Sequence, residues 1–274
     1  MELGAFARTR NRPRDWKKRT AELEELIRRV LIHTTCDMSN GPAKPRSSKI
    51  HQQLLNTLKR GDTILTFNYD TVIEESMPES DSLWAPKGGY GVQVTGLTLD
   101  WAKRWLRDHQ VERSQEAEID LLKLHGSLNW GQYKTSTAAV RLKPRPYVIR
   151  MGRYMPVSER ALFLPPGWHK RVDRNPYNTI WQQARLKLDK CATLMIVGYS
   201  LPETDLIARA LFAEVTRVRR ARGKYLKELH VADVSAEARD RIVGLFLPAL
   251  GHTGIIYRYS DAKELSDSMV RHAL

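Results

Sequence analysis

Between residues 15 and 35 the apolar side chains Leu23, Leu26, Ile27, Val30 and Leu31 recur at short helical intervals, and most positions between them are charged. That period lays them along one side of an amphipathic helix with a charged outer face. The segment CDMSNGPAKPRSS, with its glycine, prolines and serines, ends the helix, and Ile50, Leu54, Leu55 and Leu58 mark a second one. Gly61 and Asp62 close that helix and lead into TILTF (63–67), a short β-branched run suited to a strand buried on both faces.

The strand-loop-helix rhythm recurs downstream. IDLLKL (119–124), TLMIVG (193–198), LHVAD (229–233) and GIIYRY (254–259) are further short apolar runs, and a helical pattern over 236–247 separates the last two. Five such strands alternating with helices predict an α/β fold, a Rossmann-like, doubly wound and mainly parallel sheet with helices on both faces. Residues 131–175 break the rhythm, being rich in proline and in bases. The expected organisation is therefore a helical amino-terminal segment (1–60) joined to a core made of 61–130 and 176–274. Residues 131–175 form an inserted basic lobe or loop excursion.

Charge and cysteine content change the picture only at the margins. Lysine and arginine outnumber aspartate and glutamate by 45 to 31, a formal net charge of +14, and the run Arg217 to Lys227 carries bases with no acid. Such a surface attracts polyanions, so nucleic acid and an acidic protein partner are both expected as candidates. No nucleic-acid-binding motif accompanies the runs, and solvated helix faces explain them equally well. Cys36 and Cys191 stand far apart with no C-x-x-C spacing, which argues for a reducing compartment and against a thiolate zinc site. The basic amino terminus lacks the apolar stretch of a secretory signal or membrane span, so the expected location is the cytoplasm.

In doubly wound sheets ligands bind at the carboxyl ends of the strands. Three of those ends carry polar strings: TFNYD, LHGSLNW and GYSLPETD. TFNYD followed by KLHGSLNW and then IVGYSLPETD resembles the sirtuin-like superfamily. The trio is closest to bacterial sirtuin-like domains that cleave NAD in antiphage defence, over about residues 60 to 260. The resemblance implies a catalytic group of Asn68, Asp70 and His125. Asn68 would hold a ribose hydroxyl or the attacking water, Asp70 would accept from the nicotinamide amide, and His125 would act as base. It also implies that Thr66, Phe67, Gly126, Gly198, Tyr199 and Ser200 line the nucleotide, with Asp233 a weaker ribose contact. NAD is then the substrate, NAD or ADP-ribose the small-molecule partner, and a protein partner or homo-oligomer the regulator; no zinc is expected.

Each residue also has a plainer reading. Asn68 and Asp70 suit a turn after a strand, and His125 before a glycine suits a structural role. SLPE reads as a capping box, with Ser200 as N-cap, Pro202 in the first turn and Glu203 at the third helical position. Tyr199 and Trp130 could be core aromatics. Two functional readings therefore stand: an NAD glycohydrolase, or a catalytically inactive module that binds NAD, ADP-ribose, nucleic acid or a protein. Deacylation is a distant third, because the zinc-ligand cysteines of deacylases have no counterpart here.

The sequence departs from the family in one respect. Sirtuin-like domains open with an apolar strand running into a Gly-Ala-Gly-x-Ser loop, and LGAFAR (3–8) does not match it. In the strand order 3-2-1-4-5-6 that strand is central, so its loss exposes two interior edges. Three explanations compete: a reading frame opened too far downstream, which is the expectation favoured, a strand supplied by another chain, or closure of the gap by its neighbours.

Overall fold

A computed structural model describes residues 13–37, 44–77, 83–95, 117–133, 140–142, 159–164 and 172–273. The first helix, α1 (Pro13–Thr35), runs into β1 (Cys36–Asp37), which pairs antiparallel with β2 (Lys44–Pro45). Near the end of α1, Ile32 packs with Cys36 and Leu128, while Leu23, Leu26 and Val30 are more than half exposed. The apolar stripe expected to face the core thus lies largely in solvent, because nothing among the described residues covers it.

Helix α2 (Lys49–Leu55) starts at Ser48, whose hydroxyl accepts from the His51 amide, an N-cap that satisfies one orphan donor. Strand β3 (Thr63–Thr66) follows, then two short helices, α3 (Val72–Glu75) and α4 (Pro86–Gly89), and β4 (Val94–Thr95). β5 (Asp120–Lys123) pairs parallel with β3, bringing the TILTF and IDLLKL runs side by side.

The LHGSLNW string is not a loop. Its chain turns at His125 and continues as β6 (Gly126–Tyr133), which pairs antiparallel with β7 (Val140–Leu142) and β8 (Glu159–Phe163). β4 completes a four-stranded sheet in the order β4-β7-β6-β8. Trp130, one of the two aromatics in doubt, is wholly buried in the main core. The described parts of 131–175 thus add antiparallel strands to the LHGSLNW strand; the remainder of that span lies outside the described residues.

The second half alternates helices with parallel strands. Helix α5 (Tyr177–Lys190), β9 (Thr193–Val197), α6 (Leu206–Ala221), β10 (Leu226–Ala232), α7 (Ala236–Phe246), β11 (Leu250–Tyr259) and α8 (Ala262–Ala273) alternate in order. β9, β10 and β11 form a parallel sheet with β10 central. One face of it, with Ile196, Leu229, Val231 and Ile256, joins the main core with Phe212 of α6 and Ile242 of α7. The other face carries Ala232 and Tyr259 under Leu265 of α8, with Leu54 of α2 alongside. Alternating side chains on a strand point to opposite faces, so helices pack on both, although on the second face Met195 and Val197 of β9 remain exposed.

Arg219, near the end of α6, is almost wholly buried and donates to the carbonyls of Leu188 and Cys191, each at 2.8 Å. It thereby satisfies carbonyls at the end of α5 that have no partner within the helix. The fold is α/β as expected, but its parallel strands do not form one sheet. β3-β5 and β9-β10-β11 are separate, and β3 and β9 do not pair with each other. Among the described residues, no helix is long and apolar enough to cross a membrane.

Candidate functional site

The turn after β3 is set by its own polar side chains. The Asn68 amide donates to Thr66 Oγ1 at 3.1 Å, and the Val72 amide donates to Asp70 Oδ1 at 3.0 Å. Asp70 thus starts the short helix α3, the turn-forming role that such residues favour. Its carbonyl is held in turn by the ammonium of Lys123. Lys123 is 1 % exposed and pairs with Glu74 Oε1 at 2.8 Å, and the Tyr90 hydroxyl donates to the same oxygen at 3.0 Å. The buried ammonium of Lys123, two residues ahead of His125, therefore fixes the Asp70 turn.

His125 itself is buried, at 5 % exposure. Its ring meets the edge of Phe67 with centroids 5.2 Å apart, and Tyr69 and Trp181 lie at 6.0 and 6.3 Å. Its Nε2 lies 3.5 Å from Asp205 Oδ2. The Tyr199 hydroxyl donates to that same carboxylate oxygen at 3.1 Å, and the Tyr199 ring stacks on Phe67 at 4.1 Å. Burial, reinforced by the Asp205 charge, pushes the phenols of both Tyr199 and Tyr69 far above the usual tyrosine value, so both stay protonated and can donate.

Phe67, His125 and Tyr199, drawn from three strings far apart in sequence, thus converge in one aromatic cluster. Asp205 belongs with them and was missed. It is the last residue of GYSLPETD, and the capping-box reading of SLPE drew attention away from it. That reading is corrected: Ser200 is not an N-cap and Glu203 is not helical, because α6 begins only at Leu206, with Asp205 at its N-cap position. Leu201 adopts a φ of 50° and is buried, and the Asp205 amide donates to the Pro202 carbonyl. This turn delays the helix by several residues and swings Asp205 toward His125.

Gly198 has a φ of 62° and its amide donates to the Ala232 carbonyl at 2.8 Å, placing it at the end of β9 beside the end of β10. The Ser200 carbonyl accepts from Arg241 of α7 at 2.7 Å. Asp233 follows β10 but its Oδ1 accepts from the Ser235 amide at 2.9 Å, so one of its oxygens serves the turn into α7. Gly126 is required by close approach: a Cβ there would lie 2.3 Å from the Leu162 carbonyl oxygen, at a φ of 82° that other residues rarely adopt. Among the described residues no cluster of histidine, cysteine or acidic side chains could hold a metal ion. Both cysteines are free, and burial raises each thiol above its ordinary value.

No curated protein matches the sequence. Among solved structures, a Sir2 homologue mutant in complex with ADP-ribose shares 15 % identity at a TM-score of 0.48, the match covering 99 % of this chain and 83 % of that one. The sequence model of the SIR2-like domain matches residues 62–232, which span TFNYD, LHGSLNW, GYSLPETD and the strand β10. With well over half its length matched, this chain belongs to the SIR2-like domain family.

Proposed function

We propose that the protein is an NAD glycohydrolase, converting NAD to ADP-ribose and nicotinamide, and that it acts as a cytoplasmic antiphage-defence effector. The observation that carries the reading is the His125–Asp205–Tyr199 group, set beside the β3 turn that bears Asn68 and Asp70. Departure of nicotinamide leaves oxocarbenium character on the ribose and calls for a water whose proton is taken as it attacks. A histidine base provides this near neutrality. Asp205, 3.5 Å from Nε2, stabilises the imidazolium that results. Asn68 is exposed and its side chain orients the water or a ribose hydroxyl. Asp70 spends Oδ1 on the Val72 amide, leaving Oδ2 to accept from the nicotinamide carboxamide.

Thr66, Phe67, Gly126, Tyr199 and the Gly198–Ser200 turn are the proposed contacts along the nucleotide, with Asp233 toward a ribose. Nicotinamide release from NAD, followed by chromatography, tests the reading. His125→Ala and Asn68→Ala each abolish release if the roles are right, whereas activity unchanged in both refutes them. A second reading has an observation of its own. Phe67 and Tyr199 stack on each other at 4.1 Å beside the imidazole, so their facing surfaces admit no nucleotide ring between them. If no release is detected but calorimetry shows ADP-ribose binding, the protein is a binding module rather than an enzyme. A salt titration against DNA decides whether its basic surface serves nucleic acid instead.

A further inference from the structure

The entrance end of the β9-β10-β11 sheet, opposite the strand ends that carry the candidate site, gathers cations from three elements. α5 ends at Lys190, the last turns of α6 carry Arg217 and Arg220, and Lys224 and Lys227 flank the start of β10. Hydrogen bonds tie these pieces together: Arg219 donates to the Leu188 and Cys191 carbonyls, and the Lys227 amide donates to the Ala192 carbonyl, all at 2.8 Å. Gly223, at a φ of 64°, turns the chain back after α6, so that the Lys224 amide donates to the Arg219 carbonyl at 3.0 Å.

All five cations are exposed, and none forms an ion pair among the described residues. The acids beside them in the chain are already engaged: Asp189 by Arg222 at 3.1 Å, Glu214 by Arg185 at 2.8 Å and Glu228 by His230 at 3.3 Å. The field at this end of the sheet is therefore positive. Bases in a last helical turn complement the helix dipole, which accounts for Arg219 and Arg220. It accounts neither for Lys224 and Lys227 nor for the aromatic residue between them. Tyr225 is 45 % exposed. Its side chain lies across Gly251 of β11, where an added Cβ would come within 3.1 Å of its Cβ and 3.3 Å of its Cγ. The bare glycine backs the ring on the strand, and much of the rest of the ring is open to solvent.

From this we propose that the entrance end of the sheet binds single-stranded nucleic acid, the cations following the phosphates and Tyr225 stacking on an unpaired base. Every base has a π-face, so this recognition is tolerant of sequence, whereas a duplex keeps its bases inside the stack and offers the ring none. Charge alone would suit any polyanion; the ring among the cations is what favours nucleic acid. The surface lies the length of β10, about 20 Å, from the Gly198–Ser200 turn, so binding there is independent of NAD chemistry.

The test follows the fluorescence anisotropy of labelled oligothymidylate and oligouridylate of about fifteen bases, each against a duplex of the same length. Saturable binding of single strands is expected, tighter than that of the duplex and weakening as salt rises; the tighter of the two arms names DNA or RNA as the ligand. Tyr225→Ala weakens binding about fivefold or more, and Tyr225→Phe restores it. Lys224→Gln/Lys227→Gln lowers the slope of log affinity against log salt by about 1.4, at about 0.7 per phosphate contact, whereas Lys49→Gln/Lys263→Gln on α2 and α8 leaves it unchanged. Unchanged thermal melts show that the variants are folded. Absence of saturable binding to either single strand overturns the proposal, as does a duplex bound equally well or polyglutamate that displaces the strand as effectively as unlabelled oligonucleotide. So does wild-type binding by Tyr225→Ala or by the Lys224/Lys227 variant, or an equal loss in the α2 and α8 control.

Discussion

Replacing Lys123 with methionine removes the ammonium from a site where it and its partner Glu74 are 1 % and 2 % exposed. The Glu74 carboxylate then keeps only the Tyr90 hydroxyl, because its second oxygen has no hydrogen-bond partner. Leaving one member of a buried pair uncompensated costs about 3–5 kcal/mol, a large share of the roughly 5–15 kcal/mol that holds a domain together. The Asp70 carbonyl loses its donor in the same step, so the turn bearing Asn68 loosens as well. Urea unfolding followed by circular dichroism reads the loss as a fall in midpoint at constant slope.

The pair itself is separated from its halves by the double variant Lys123→Met/Glu74→Leu, which restores most of the loss, since an apolar pair of similar volume is often neutral or stabilising. A coupling of about 2 kcal/mol or more is expected from the cycle. A single-variant loss below about 1 kcal/mol, or a double variant no better than the single, refutes the assignment of this pair as the fastening of the β3 turn.

Gly126→Ala should destabilise by about 1–3 kcal/mol, seen as a lowered Tm, because a positive φ and the Leu162 carbonyl leave no room for a Cβ. Tyr69, Tyr90 and Tyr199 are all held protonated, chiefly by burial, so the folded state binds protons that the unfolded chain releases near pH 10. Stability is full below that pH and falls as pH rises above it; absorbance at 295 nm should show these phenols ionising together with unfolding. Ser235→Ala removes the acceptor of the Ala238 amide at the start of α7 and should cost about 1 kcal/mol in denaturant unfolding. Under the glycohydrolase reading, Asp205→Asn should lower nicotinamide release at least about tenfold without changing the melt; equal activity would remove Asp205 from the site.

The parallel strands were legible because they are short apolar runs bounded by turn residues, a signal that needs no tertiary information. LHGSLNW was harder: Ser127 and Asn129 look like loop residues, yet both are buried in β6, between the positions Gly126 and Gly131 that pair with β8, so tertiary context overrides their local preference. The α6 boundary failed for a similar reason. SLPE carries a helix-start signature, but Leu201 is drawn into the core and its backbone leaves the helical region, so the helix waits for Asp205. The site was legible as three strings in order. Its acid was not, since nothing in the sequence distinguishes Asp205 from the Glu203 two residues before it.

Helix α6 holds the strand before it at both extremities. Arg219 grips the carbonyls of Leu188 and Cys191 just ahead of β9, and Asp205 receives the hydroxyl of Tyr199 just after it. From Asp205 to Arg219, at about 1.5 Å per helical residue, the helix forms a rigid rod about 21 Å long between those grips. A displacement of the guanidinium end is therefore delivered along the axis to the carboxylate beside His125, so a residue remote from the imidazole sets how closely its acid approaches.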